Sequence, residues 1–236
     1  MFTSRGNADG AAATPYSGFN LCHYTGDTQM HAAECRGRLA AWLGVPEDHI
    51  VVPRQTHSTE VRFIGSVPVD PELIEGVDAL VTTLKGVAIG VSTADCVPVT
   101  LVDDKAGVAG VAHAGWRGAL GGVVLRLVEE MLRRGADLSG LQAFFGPAIC
   151  CGCFEVGEEV AVRFPDKYVV RKPEWPRPHV DLPGFVAAQL CAIGLRPDRI
   201  GSFSPELCTC CHPERYFSAR KSGVESGRNF TFVILD

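Results

Sequence analysis

A mixed α/β fold in one domain is what this sequence predicts, and three observations lead there. Short β-branched runs crowd residues 50–112, stretches with helical apolar spacing stand on both sides of them, and 236 residues suit one large domain better than two. An apolar fraction of 46% against 21% charged residues supports a packed core over a disordered chain.

Residues 1–26 are rich in Gly, Ala, Ser and Asn without a sustained period, and read as an irregular segment with one short strand. A helix is expected next, capped by Asp27 or Thr28. Cys35, Leu39, Trp42 and Leu43 fall on its apolar stripe, and Gly44 and Pro46 stop it. The runs IVVP, VRFIGSV, DALVT, VAIGV, VPVTLV and GVAGVA then read as strands, several apolar throughout as buried central strands are. A second helix is expected over Ala119 to Arg134, with Leu120, Val123, Val124, Leu127, Met131 and Leu132 as its stripe and Gly135 as its stop. LQAFF returns as a strand, followed by a short helix over Val156 to Phe164 and a Pro-rich linker, KPEWPRP. A helix starts through Asp181 and Pro183 and ends at Gly194, and FTFVIL is the last strand.

Charge and composition narrow the function. A net charge of −5 with no Lys/Arg stripe argues against a nucleic-acid partner, so a small molecule is expected. MFTSRGNADG lacks the apolar core of a signal peptide, and no run of about 18 apolar residues could span a bilayer, so no membrane association and a cytoplasmic location are expected. In that reducing compartment the ten cysteines are expected as buried thiols, metal ligands or catalytic groups rather than disulfides.

Three segments carry reactive side chains beside apolar strand runs: RQTHS with His57, TADC with Cys96 and HAGWRG with His113. Loops at strand ends can turn such groups toward one crevice. Two imidazoles and a thiolate suit zinc and leave its fourth position open, where a bound water reaches a pKa of about 7 or a substrate oxygen is polarised. No close spacing such as HExxH ties the three together, so hydrogen-bonded histidines and a small buried thiol remain the alternative. Asp95 can orient a histidine from behind or serve as a turn carboxylate. Arg117, Arg220 and Arg228 follow Gly- or Ser-containing turns, where a guanidinium can meet phosphate or simply pair on the surface. Cys150/Cys153 and Cys208/Cys211 are each CxxC, the signature of a closed structural zinc, but their separation and the adjacent Cys151 and Cys210 favour buried or spectator thiols.

Taken in order, these segments resemble one family: the bacterial laccase-domain proteins, also called the multicopper polyphenol oxidase or peptidoglycan-editing-factor family, which includes purine nucleoside phosphorylases. The resemblance rests on TSRG (Thr3 to Gly6), FNL (Phe19 to Leu21), RQTHS, DALVT (Asp78 to Thr82), TADCVPV (Thr93 to Val99), HAGWRG (His113 to Gly118), GPAI (Gly146 to Ile149), CFEVGEEV (Cys153 to Val160) and YFSARKSG through SGRNF. It implies that His57, Cys96 and His113 hold a metal, that residues 1–236 form a single laccase-like domain, and that the fold is a layered α/β/β/α sandwich with mixed sheets. Two departures touch the pocket edge: Asn7, Ala8, Asp9 and Gly10 replace Gly-Gly-Val-Ser, and Phe217, Ser218, Ala219, Arg220 and Lys221 replace F-S-Y-R-R.

The implied activity is phosphorolysis of adenosine, inosine and methylthioadenosine to free base and sugar 1-phosphate, with adenosine deamination beside it. Zinc is the implied cofactor, with Cys96, His57, His113 and Asp95 as catalytic residues and purine nucleosides and phosphate as small-molecule partners. Gln55 of the Q-x-H motif, Arg5, Arg117 and Arg220 are expected on substrate, the arginines on phosphate. A copper-dependent polyphenol oxidase ranks lower, because the three methionines, at 1, 30 and 131, lie outside the ligand loops and the seven histidines are scattered. A metal-free amidase with Cys96 as nucleophile and His113 as base, editing a cell-wall precursor, is the second rival. A non-enzymatic metal-binding scaffold is the third.

Overall fold

The computed structural model describes residues 1–6 and 14–236, so the Asn7 to Gly10 departure lies outside the described residues. In chain order the elements are α1 (Gln29–Leu43), β1 (Ile50–Val51), β2 (Val61–Ile64), β3 (Ala79–Thr82), β4 (Ala88–Thr93), β5 (Val97–Asp103), β6 (Val108–Ala114), α2 (Trp116–Gly121), α3 (Val123–Arg133), β7 (Gln142–Phe145), α4 (Glu158–Ala161), β8 (Val169–Val170), β9 (His179–Val180), α5 (Leu182–Ala192), α6 (Ala219–Ser222) and β10 (Asn229–Val233). Of the first 26 residues, the described part is turns and coil, with one bridge from Phe2 to Thr231.

Two mixed sheets lie face to face. One has the order β2-β3-β6-β5-β7 and the other β1-β4-β10, with parallel pairing only for β2/β3 and β1/β4. Leu80, Ile89, Val91 and Val111 fill the space between them. On the outer face of the larger sheet, Val81, Val99 and Ala112 pack under Val124, Leu127 and Met131 of α3 and Val186 of α5. On the outer face of the smaller sheet, Leu39 and Ala40 of α1 meet Ala88, Phe230 and Phe232. The result is the expected α/β/β/α layering. Because both faces of the central strands are covered, β3, β4 and β6 are buried at every position, which is why their sequences run apolar instead of alternating.

Local chemistry sets the ends. Thr28 accepts the His31 N–H at the start of α1, and Gly44 stops the helix in the left-handed conformation. Trp42 departs from the expected stripe: it is 69% exposed, while Ala32 and Ala40 take buried positions beside Cys35 and Leu39. The expected helix over Ala119 to Arg134 is two helices, α2 starting earlier at Trp116 and α3 starting after Gly122, whose φ of 81° breaks the ladder. Leu132, assigned to the stripe, is 38% exposed. The helix expected over Val156 to Phe164 shrinks to the single turn of α4. Asp181 caps α5 by accepting the Gly184 N–H, with Pro183 in the first turn. Among the described residues no helix is long and apolar enough to cross a membrane.

Candidate metal centre

The three expected ligands come from three connections that open at one end of the two sheets. His57 lies between β1 and β2, Cys96 between β4 and β5, and His113 on β6 just before α2. On β6, two-residue alternation puts His113 on the same face as Val111, toward the smaller sheet, where Cys96 leaves the end of β4. The ligand atoms of His57, Cys96 and His113 all lie within 4.8 Å of one another. Cys96 Sγ stands 3.7 Å from His57 Nε2, and the two imidazole rings meet edge to face at 4.8 Å between centroids. His57 is exposed, Cys96 half-buried and His113 buried, so two donors sit in the protein wall and the third closes from the solvent side.

Asp78, at the head of β3, organises the centre. Its Oδ1 accepts from His113 Nδ1 at 2.6 Å and from the His57 N–H at 3.1 Å. Its Oδ2 accepts from the Thr56 and Ser58 N–H groups at 3.0 and 2.7 Å. Three successive amides thus converge on one buried carboxylate, which bends the loop enough to leave His57 at a φ of 61°. Holding the His113 Nδ1 proton points Nε2 toward the shared space.

The charges reinforce one another. Burial would push the Asp78 carboxyl up, but the His113 hydrogen bond and charge and the loop amides hold it below the usual carboxylate range. Burial also pushes the Cys96 thiol up, yet the His113 and His57 imidazoles bring it down to about 6. His113 is pushed down by burial and raised to about 9 by the Cys96 thiolate and by Asp78. Without metal, the pair is therefore a thiolate and an imidazolium near neutrality.

Of the two places open to Asp95 in the sequence, it does not take the histidine-orienting one. Its carboxylate meets no histidine ring; Oδ1 accepts from Thr209 Oγ1 and Ser218 Oγ, both at 2.7 Å, and Oδ2 from the Arg220 N–H at 2.6 Å. Its φ of 85° turns the chain so that Cys96 faces the histidines. The orienting carboxylate is Asp78, and its sequence signal was the acid that opens the buried DALVT strand.

A cavity of about 540 Å³ opens over the three ligands, with Tyr24, Trp116 and Phe154 as aromatic walls and Arg220 and Arg228 as cations. Gln55 lines it too, locked by donating to the Ser92 carbonyl at 2.9 Å and accepting the Ser92 N–H at 2.8 Å. Ser92 Oγ, also at this wall, is buried without a hydrogen-bond partner. Arg220 donates to the Cys153 and Glu155 carbonyls, and Arg228 to those of Val224, Ser226 and Gly227. Neither forms an ion pair among the described residues, and backbone carbonyls hold both guanidinium groups at the cavity.

Two expected substrate arginines lie elsewhere. Arg5 is spent on the carbonyls of Thr14, Ser17 and Pro213 and lies over the Phe217 ring, outside the cavity lining. Arg117 is exposed, with its guanidinium carbon 4.2 Å from the centre of the Trp116 ring, also outside the lining. Neither guanidinium reaches into the site, although the HAGWRG motif around Arg117 supplies His113 and Trp116 to it. The second cysteine group differs from its expectation as well: Cys150, Cys153, Cys208 and Cys211 come together, with all four sulfurs within 4.8 Å of one another.

Comparisons with known proteins give the chain its family and its fold relatives. A family model described as multi-copper polyphenol oxidoreductase laccase matches residues 1–236. Among similar curated proteins, adenosine deaminase RL5 from an unknown prokaryotic organism is 45% identical over 98% of this chain and 91% of its own length. Purine nucleoside phosphorylase ORF3 of Streptomyces griseus is 39% identical over 96% of this chain and 91% of its own. Among solved structures, the hypothetical protein YfiH of Bacillus licheniformis superposes with a TM-score of 0.89 at 25% identity, covering 100% of this chain and 91% of that one. YlmD of Geobacillus stearothermophilus gives a TM-score of 0.83 at 28% identity, covering 98% and 89%.

Proposed function

The chain belongs to the multi-copper polyphenol oxidoreductase laccase family, and from that premise we propose that it is a zinc-dependent purine nucleoside phosphorylase with adenosine deaminase activity, residues 1–236 forming one domain of that type. The observation that carries the reading is a three-donor centre, His57, Cys96 and His113, facing a cavity walled by aromatic rings and two unpaired guanidinium groups.

The donor set fits the ion. Two imidazoles and one thiolate, two of them fixed in the wall, are a three-ligand zinc set that leaves a position for water or substrate. Bound there, zinc supplies Lewis-acid chemistry and activation of water at neutral pH. Copper is the less favoured occupant, since none of the three methionines lines the cavity to serve as the axial thioether of a thiolate and bis-imidazole copper centre.

The chain's own residues do the rest. Tyr24, Trp116 and Phe154 offer ring faces to a flat heteroaromatic base, and their walls exclude bulk water from it. Arg220 and Arg228 hold phosphate by charge-assisted hydrogen bonds beside the sugar. The Gln55 amide, locked on the Ser92 backbone, fixes that edge of the cavity. Asp78 keeps the proton of His113 on Nδ1, so Nε2 remains a donor to the metal when the ion is present. Ten free cysteines suit a reducing, cytoplasmic setting.

The test incubates purified chain with adenosine and inosine, with and without phosphate, and repeats it with Cys96→Ala. The expected result is base release that needs phosphate, inosine formed from adenosine without it, and loss of both in the variant. Turnover that survives removal of all metal would favour the thiol-nucleophile reading and overturn this one.

A further inference from the structure

Away from the His57, Cys96 and His113 centre, four more thiols converge. Cys150 and Cys153 bracket a one-turn helix after β7, and Cys208 and Cys211 bracket the turn that follows Leu207. The two stretches run side by side, joined by a parallel bridge between Ala148 and Cys208 and by hydrogen bonds from Ala148 N to Leu207 O and from Thr209 N to Ala148 O. All four sulfurs lie within 4.8 Å of one another, Cys153 and Cys211 at 3.4 Å, and none is in a disulfide. We propose that Cys150, Cys153, Cys208 and Cys211 form a second, closed site for a single zinc ion, which staples the stretch that supplies Ile149 and Phe154 to the cavity to the turn whose Thr209 holds Asp95.

Size selects the occupant. Zinc–sulfur bonds of about 2.3 Å in a tetrahedron put the sulfurs about 3.8 Å apart. The observed bound of 4.8 Å accommodates that tetrahedron. A polynuclear iron–sulfur cluster places its own irons and sulfides between the cysteines and spreads them further than one ion does. A disulfide would join only two of the four and leave the others facing it. The two CxxC spacings supply two ligands each from one short turn, and the Cys150 N–H donates to Cys208 Sγ at 3.3 Å, a contact that stabilises thiolate charge. Binding displaces the thiol protons to solvent and leaves no open coordination position, so the ion is structural.

The fold gives it a task. The apolar cluster that the cysteines themselves belong to is small, with Ile149, Cys208 and Cys210 as its buried members, and gives little packing to fix two long connections. Yet this is where precision is needed. The Cys153 and Glu155 carbonyls hold the Arg220 guanidinium, and Thr209 donates to Asp95, the neighbour of Cys96. An ion among the four sulfurs sets the position of a cavity cation on one side and of a ligand loop on the other.

The test measures metal by mass spectrometry on protein purified under reducing conditions without chelator, then repeats the measurement after cobalt replacement. The expected wild-type result is two zinc ions per chain. A Cys150→Ser/Cys211→Ser double variant should keep one, and Cys96→Ala should keep the other. In the cobalt protein, the thiolate-to-cobalt absorption should reflect five thiolates, four here and one at Cys96, and should fall about fivefold in the double variant. The cobalt spectrum of the wild type decides the matter even if the double variant does not fold. A single zinc per chain that the double variant retains, cobalt absorption from a single thiolate, iron in place of zinc, or a disulfide among the four cysteines under reducing conditions would each overturn the proposal.

Discussion

Asp78 Oδ1 and His113 Nδ1 meet at 2.6 Å with almost no solvent exposure on either side chain, and the same carboxylate carries the backbone of the His57 loop. One group thereby sets the direction of two candidate ligands at once. Asp78→Asn keeps the volume but presents the wrong proton to His113, and metal affinity should fall about 10- to 100-fold in competition with a chromogenic chelator. Asp78→Ala additionally strands three loop amides and a buried imidazole, and urea unfolding should register a loss of about 3 kcal/mol.

The metal-free thiolate makes a pH-dependent prediction. Because Cys96 titrates near 6 instead of the ordinary 9.0, its alkylation by iodoacetamide, followed by peptide mass spectrometry, should reach half its plateau near pH 6. The sign follows from the imidazolium: as pH falls through 6 the thiol form returns and reactivity is lost. Asp78→Asn weakens the charge on His113, so the Cys96 midpoint should move upward toward 9.0.

Gly115 leaves room for the centre. A methyl group there would come within 2.6 Å of His57 Cδ2 and 3.1 Å of Cys96 Sγ, while the φ of −65° is open to any residue. Gly115→Ala should therefore fold with little change in melting temperature and bind metal at least about tenfold more weakly, the His57 ring being the part displaced. A calorimetric scan paired with a metal titration separates the two effects.

Arg220 and the two reactions should part company. Removing a charge-assisted bond to phosphate costs about 1.5 to 3 kcal/mol, so in Arg220→Ala the KM for phosphate should rise at least about tenfold. Deamination, which uses no phosphate, should keep most of its kcat. Equal loss of both activities would place Arg220 in the frame and not on phosphate.

Gly90 tests the layers independently of the centre. A Cβ at this β4 position would stand 2.2 Å from Phe230 and 2.8 Å from Phe232. Gly90→Ala should cost about 1 to 3 kcal/mol in denaturant unfolding while metal stoichiometry stays as in the wild type.

Much of the fold was readable because its causes are local. The β-branched runs became β1 to β6, Thr28 and Gly44 bounded α1, and Asp181 with Pro183 started α5, each through a side chain acting on its own turn. What periodicity missed were events decided by neighbours. Trp42 keeps the spacing of a core residue yet faces solvent, because Leu39 and Ala40 already fill the seam over Phe230 and Phe232. Gly122 splits a continuous apolar stripe because its backbone turns left-handed, and the stripe itself carries no sign of that. At the centre, the three donors were legible from residue type and position. The roles of Asp95, Arg5 and Arg117 were not, since each depends on which carbonyl, hydroxyl or ring lies opposite, and those partners come from distant parts of the chain.

His57 and Asp95 both hold a left-handed backbone that side-chain-bearing residues seldom adopt, at a cost of about 1 kcal/mol or more each. Each kink is held by hydrogen bonds to a carboxylate, Asp78 in one case and Asp95's own in the other; Asp78 lies outside the cavity lining, and Asp95 lines the cavity with both carboxylate oxygens already accepting hydrogen bonds. A saturation-mutagenesis map of this enzyme should then look inverted. The positions least forgiving of change would be the two acids that hold the ligand loops, while the aromatic lining beside them tolerates exchange among rings and shifts preference between bases.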